Sequence, residues 1–259
     1  MSTIDDGLRR PRARAGHRWE EAGGSEGKRG KRELECGAHP AVRLRRTGPA
    51  IPAIPDLADR LRRLPPSCGP VRLIGVDGHA GSGKSTFAGV LAARLGGVPV
   101  LHLDDVASHD QLFDWTGRLL DQVIDPLRRG DTAHHTPYDW RARRFGPPRA
   151  LAPAPVILLE GVGAGRAALR PYLARLFWMD LPRETSWARG RARDGAEQRG
   201  FWDGWIPAER RHFAEDPSRP FAHLLVRQGN QGYEVLPGPA GTASEAHFLT
   251  LGDGPSAMC

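Results

Sequence analysis

The sequence is short of lysine, asparagine and cysteine, and each shortage removes a class of function. Asn230 is the sole asparagine and no lysine follows Lys84. The Asn-Lys-x-Asp stretch by which nucleotide switches read guanine therefore has no place in the chain. The cysteines are three, Cys36, Cys68 and Cys259, odd in number, far apart and outside any CxxC or Cys/His grouping. That pattern excludes a disulfide framework or a thiolate zinc site and predicts free thiols in a reducing compartment. Long hydrophobic runs are also missing: no stretch approaches the roughly 18 to 20 apolar residues that span a bilayer. The first residues, with Asp5, Asp6, Arg9 and Arg10, lack the apolar centre of a signal peptide. A soluble, cytoplasmic protein without membrane attachment is expected.

What is present is arginine. The net charge of +7 and a pI near 10.0 resemble a nucleic-acid signature until the charges are located. Residues 1–50 carry 12 Lys+Arg against 7 Asp+Glu, and the remaining 209 residues carry 25 against 23. Basicity is a property of the N-terminal stretch, and nucleic acid is disfavoured as a partner. Residues 1–50, rich in Arg, Gly, Glu and Ala without apolar periodicity, read as a disordered basic tail. Residues 51–68 read as a short helix and linker, with Leu57, Leu61 and Leu64 at helical spacing before Pro65 and Pro66. Residues 69–228 make one domain, and the Gly, Pro and Ser content of 229–259 predicts a weakly ordered C-terminal tail.

Within the domain, apolar runs alternate with amphipathic segments, the pattern of strand–helix–strand units around a mostly parallel sheet. Strands are expected at 71–76, 98–103, 156–159, 175–181 and 222–226. Helices are expected at 84–95, 112–127, 183–194 and 206–215. The fold class that follows is α/β, a three-layer αβα sandwich with about five strands.

Between the first strand and the first helix lies Gly78-His79-Ala80-Gly81-Ser82-Gly83-Lys84-Ser85. It meets the phosphate-loop pattern GxxxxGK[ST], and its place between strand and helix is the context that pattern requires. Glycines let consecutive amides turn inward as an anion nest, and the helix start adds unpaired N–H groups and its positive dipole end. Lys84 is the only lysine outside the tail among 34 arginines. A compact ammonium suits such a cradle better than a planar guanidinium. The loop, with Thr86, is the candidate ATP-phosphate site; Lys84 reaches the phosphates and Ser85 holds magnesium. His79 is expected to present only its backbone.

Acids close two of the expected strands. Asp104, at the end of 98–103, is the candidate base that would take the proton of an acceptor hydroxyl, with Asp105 beside it. Glu160, ending 156–159, is the candidate second magnesium ligand. Asp77 is read as a turn-forming carboxylate. Arg189, Arg191, Arg193 and Arg199 crowd a stretch that could fold over the transferring phosphate, with Arg189 and Arg193 as its candidate lid contacts.

In this order the residues of 71–226 resemble the uridine kinase-like branch of P-loop kinases, which includes phosphoribulokinase-like and pantothenate kinase-like enzymes. The resemblance rests on Gly78 to Ser85, Asp104, Pro137-Tyr138-Asp139, Glu160-Gly161 and Arg193-Asp194. It implies an Arg-rich lid, ATP and magnesium as cofactors, and a small-molecule acceptor, a nucleoside or similar alcohol, contacted by Tyr138 and Asp139, with Asp105 as the third candidate acceptor contact. A homo-oligomer is compatible with it. The sequence departs from the family at Val106 and Ala107, where an aromatic pair follows the catalytic Asp, at Arg143 in place of a His, and at Gly190 in place of an Arg. Arg141, Arg143 and Arg144 raise the alternative of an acidic or phosphorylated acceptor. An ATP-binding regulatory or assembly protein without an acceptor is the other reading. Replacing Lys84 by Ala is expected to remove magnesium-assisted affinity for nucleoside triphosphates, as measured by equilibrium binding.

Overall fold

The computed structural model describes residues 55–230, 232–241 and 247–250. By its contacts the chain divides into residues 1–48 and 49–259, and every described residue falls in the second unit. The expectation of a disordered tail over 1–50 lies outside the described residues, as do Cys36 and Cys259.

The chain opens with α1 (Pro55–Arg63), β1 (Arg72–Asp77), α2 (Lys84–Arg94) and β2 (Val100–His102). A broken helix follows, α3 (Thr116–Leu119), a π-helical turn (Leu120–Ile124) and α4 (Asp125–Arg129), closed by Gly130 in the left-handed conformation. Four short strands come next: β3 (Ala133–His135), β4 (Tyr138–Asp139), β5 (Arg144–Phe145) and β6 (Arg149–Leu151). The remainder is β7 (Val156–Glu160), β8 (Leu173–Met179), α5 (Arg183–Asp194), α6 (Arg199–Glu215), β9 (Leu224–Gly229), β10 (Gly232–Pro237) and β11 (His247–Thr250).

Seven strands form one sheet in the order β11-β10-β9-β8-β1-β7-β2. The five from β9 to β2 are parallel, whereas β10 pairs antiparallel with both β9 and β11. The period of two along the central strands sorts side chains to opposite faces. Ile74, Val76, Val156 and Leu158 join Leu57, Leu61, Phe87 and Leu91 in one core. Leu73, Ile157 and Leu159 join Trp115, Leu119, Val123, Ile124 and Leu127 in another. Two apolar layers on one sheet are the three-layer αβα sandwich, and both faces being covered explains why Leu73 to Val76 and Val156 to Leu159 read as apolar runs without polar alternation.

Three expectations are corrected. The sheet extends beyond five strands into the stretch assigned to a weakly ordered tail, because Tyr233 and Val235 are buried on either side of exposed Glu234 and β10 pairs fully with β9. The helix expected at 206–215 begins at Arg199 and runs to Glu215. Gly200, Gly204 and Pro207 lower its local propensity, and the burial of Trp202 and Trp205 overrides that. Residues 133–151, given no secondary structure from sequence, pair as β3 with β6 and β4 with β5. Strands of two or three residues leave no periodicity to read.

Asp77 does more than shape a turn. Its carboxylate is fully buried at the carboxyl end of β1 and accepts N–H bonds from Gly78 (2.7 Å), Gly163 (2.9 Å) and Gly165 (2.8 Å). It thereby fixes the start of the phosphate loop to the loop after β7. Asp77→Ala leaves three buried amides without an acceptor, so a loss of at least about 3 kcal/mol is expected, read from the denaturant midpoint at unchanged slope.

Candidate functional site

The carboxyl ends of parallel strands carry the loops, and here they surround a cavity of about 390 Å³. One wall is the phosphate loop and the first turn of α2: Ala80, Gly81, Gly83, Lys84, Ser85 and Thr86. The opposite side holds Asp104, Glu160 and Gly161. Arg189 and Arg193 of α5 close the top, and Trp140, Phe201, Trp202 and Trp205 line the flank.

The loop follows from its residues. Gly78, Gly81 and Gly83 have φ of 147°, 82° and 93°, values that side chains resist. Gly83 caps α2, whose first amides have no helical partner and face the cavity end of the helix. Lys84 is buried and donates to the His79 carbonyl at 3.1 Å. Of the loop residues expected to bind nucleotide, Gly78, His79 and Ser82 stand behind this surface rather than on it.

His79 corrects a further expectation, since its ring is engaged as well as its backbone. Nδ1 lies 2.7 Å from Glu209 Oε1, and the ring meets Trp178, Trp187 and Phe213 edge-on. Glu209, on α6, is completely enclosed. Burial alone would lift its carboxyl, but the His79 hydrogen bond and the charges of His79 and Lys84 outweigh burial and hold it below the usual range.

Asp104 lies just past β2 on a 3-10 turn (Leu103–Asp105), not on the strand itself, because the chain leaves the sheet after His102. The residue opens onto the cavity, yet the protein crowded around its carboxyl, and then the Glu160 charge, raise its pKa above the ordinary value. Lys84 and His102 oppose the rise. Glu160 is buried at the end of β7 and bonded to His102 Nδ1 at 2.6 Å, which raises the pKa of His102. Among the described residues no group of three or more His, Cys, Asp or Glu is placed to hold a metal alone. Ser85 and Glu160 both line the cavity. Two protein oxygens suit magnesium, which draws the rest of its shell from phosphate and water.

The three residues expected to contact the acceptor lie off the cavity lining. Asp105 is 3.5 Å from buried His135, and the Tyr138 hydroxyl meets His109 Nδ1 at 2.9 Å. Asp139 is exposed and accepts the amides of Arg141 (2.9 Å) and Ala142 (2.8 Å), bonds that hold its pKa below the usual value. Arg141, Arg143 and Arg144 are exposed and also off the lining. Trp140 stands beside Asp104 instead, its indole donating to the Asp104 carbonyl at 3.1 Å. Its ring meets Phe201 at 5.9 Å, and Phe201 stacks on Trp205 at 5.5 Å. A continuous aromatic flank thus begins at the candidate base. Sequence reasoning missed it, although Phe201, Trp202 and Trp205, three aromatics within five residues, were the available signal.

Helix α5 lies directly on the loop. A Cβ at Gly81 would come within 2.0 Å of the Ser186 carbonyl oxygen and 2.7 Å of the Gly190 nitrogen. One at Gly190 would meet the Trp202 indole at 2.4 Å. Glycine at 81 is what lets α5 touch the loop backbone, and glycine at 190, where the resemblance led one to expect arginine, is what lets the Trp202 indole lie against α5. Of the lid arginines, Arg189 donates to Gln228 at 3.0 Å, and Arg193 pairs with Asp194, whose other contact is the Trp202 indole at 3.1 Å.

No family model matches the chain, and no curated protein matches it. Among solved structures it is similar to a possible uridine kinase from Bacillus stearothermophilus, at 21% identity and a TM-score of 0.43 over 60% of this chain and 90% of that one. It is also similar to TT1252 from Thermus thermophilus, at 20% identity and 0.33 over 62% and 90%. Likeness at this distance identifies neither a family nor a substrate. Among the described residues no helix is long and apolar enough to cross a membrane. Cys68 is buried and unpaired, and burial pushes its thiol up to about 11.

The lid contact generates a paired expectation. Gly190→Ala should cost about 1–3 kcal/mol through overpacking against Trp202. Gly89→Ala, in α2 with nothing within 4 Å of the added carbon, should gain up to about 1 kcal/mol from helix propensity. Denaturant unfolding of the two variants, side by side, checks the difference in sign.

Proposed function

We propose that the protein is an ATP-dependent phosphotransferase that moves the γ-phosphoryl group of ATP to a hydroxyl of a small metabolite. One observation carries the reading: a single cavity joins the amide cradle and Lys84 to an acid of raised pKa, Asp104, with an aromatic flank beside it. A cradle alone would serve any nucleotide-binding protein. A base next to an enclosed apolar surface gives an alcohol a place to rest and a group to receive its proton.

In this scheme the loop amides and Lys84 take the β- and γ-phosphates, and Arg189 and Arg193 approach from the lid. Magnesium, held on the protein side by Ser85 and Glu160, neutralises phosphate charge when bound. Asp104 orients the acceptor O–H and accepts its proton as the new P–O bond forms and the bond to the β-phosphate oxygen breaks, leaving ADP. The α5–loop contact and the tryptophans exclude water, which would otherwise compete as acceptor. Trp140, Phe201 and Trp205 offer their faces to the body of the acceptor. With Arg141, Arg143 and Arg144 away from the lining, the neutral alcohol is favoured over a phosphorylated acceptor.

Asp104→Asn should abolish acceptor-dependent ADP release while leaving ATP affinity within a few fold, as measured by a coupled assay and by binding. Because the raised pKa keeps the proton on Asp104 to a higher pH than an ordinary carboxylate would, the acid limb of kcat/KM should fall off above the usual aspartate range. Loss of activity is expected as pH drops through that value. A native profile flat through the acid range, or near-native turnover in the Asn variant, removes Asp104 as the base. ADP release unaffected by any nucleoside, sugar or vitamin alcohol would favour the regulatory or assembly reading.

A further inference from the structure

Asp77 and Glu209 are both wholly enclosed carboxylates in this fold. The first ties backbone to backbone. The second reaches three groups of different kinds: the His79 ring at 2.7 Å, the Ala80 amide at 3.2 Å and the Trp205 indole N–H at 2.6 Å. Two belong to the phosphate loop, and the third belongs to the aromatic flank. Ala80 and Trp205 both line the cavity, while the carboxylate that joins them does not.

The location is electrostatically adverse. An ionised acid directly behind a loop that takes a polyanion repels the ligand, and a charge without solvent is costly unless fully paired. His79 and Lys84 offset part of that repulsion. What the carboxylate gives in return is geometry. It claims the Ala80 N–H and so turns that amide away from the cavity, setting which loop amides remain for phosphate. Through Oε2 it shares that grip with Trp205, one turn earlier on α6. Any shift of residues 79–80 on filling the loop is therefore felt by the indole, and any shift of the indole is felt by the loop.

We propose that Glu209 is a positioning residue that couples the phosphate loop to the acceptor flank through Ala80, His79 and Trp205, so that nucleotide in the loop sets the orientation of the Trp205 ring. The proposal rests on the kinase reading above for the nature of the two ligands. Its chemistry concerns only this chain's side chains.

Tryptophan emission during titration with Mg·ATP tests it, using full-length protein. The part of the signal that comes from Trp205 is obtained by subtracting the response of Trp205→Phe. Native protein should show a saturable Trp205 change. Glu209→Gln keeps the shape but removes the negative charge that Ala80 N–H, Trp205 N–H and His79 share, and it should bind Mg·ATP on the order of tenfold more weakly with the Trp205 change lost. A purely structural Glu209 would lower thermal stability and leave that change intact in the folded fraction. Should Glu209→Gln fail to fold, His79→Phe serves in its place. It retains the ring packing against Trp178, Trp187 and Phe213 and removes only the Nδ1 contact, so a reduced Trp205 signal is expected. Native affinity together with a native Trp205 response in the folded variant overturns the coupling. If unaltered protein fails to bind Mg·ATP, the kinase reading itself falls, whatever the variants do.

Discussion

The site depends on one buried carboxyl group. Asp77 ends the central strand β1 and takes amides from the loop that follows it and from the loop that follows β7. Those two loops adjoin Lys84, the first residue of α2, and Glu160, the last of β7, groups of opposite charge that line the same cavity. Without a shared acceptor between them, two glycine-containing loops would each sample many conformations, and their relative placement would be lost. A carboxylate accepting three N–H groups in a dry setting is worth far more than the same bonds in water, which is why a side chain that touches no cavity surface sets the geometry of those that do.

Around that frame the charges are arranged in opposed pairs. Lys84 faces Asp104, Glu160 is bonded to His102, Glu209 to His79, and Arg193 to Asp194. For the buried members, Glu160 and Glu209, the partner offsets part of the cost of burial. The cavity therefore holds strongly charged groups without carrying a large net field. Aromatic rings fill the space between them, and the same Trp202 that blocks a side chain at 190 binds the Asp194 carboxylate.

The parts legible in the sequence were those fixed by backbone need. GxxxxGK[ST] between an apolar run and a helix can be read because glycine, lysine and a hydroxyl are each required at one spacing. The central strands were legible because burial on two faces leaves unbroken apolar runs. Trp140, Phe201 and Trp205 were not legible as a group, since their meeting depends on how α6 lies over the short β4–β5 hairpin, and no local period encodes that. Glu209 was hidden for the same reason: it sits 129 residues from the amide it holds. His79 was read through its loop position alone, whereas the partner that engages its ring arrives from the lid. The antiparallel strand β10 was masked by surrounding glycine and proline, although Tyr233 and Val235 alternate as a half-buried strand should.

The parallel end of the sheet closes on β2, a strand of only three residues that turns at once into the 3-10 segment bearing Asp104. A sheet margin exposes unsatisfied amides and carbonyls, and their number scales with the length of the last strand. Here that number is small. The abrupt departure of the chain that delivers an acid to the cavity also denies a foreign strand the ladder it would need to stack on, so the same bend guards against edge-to-edge aggregation.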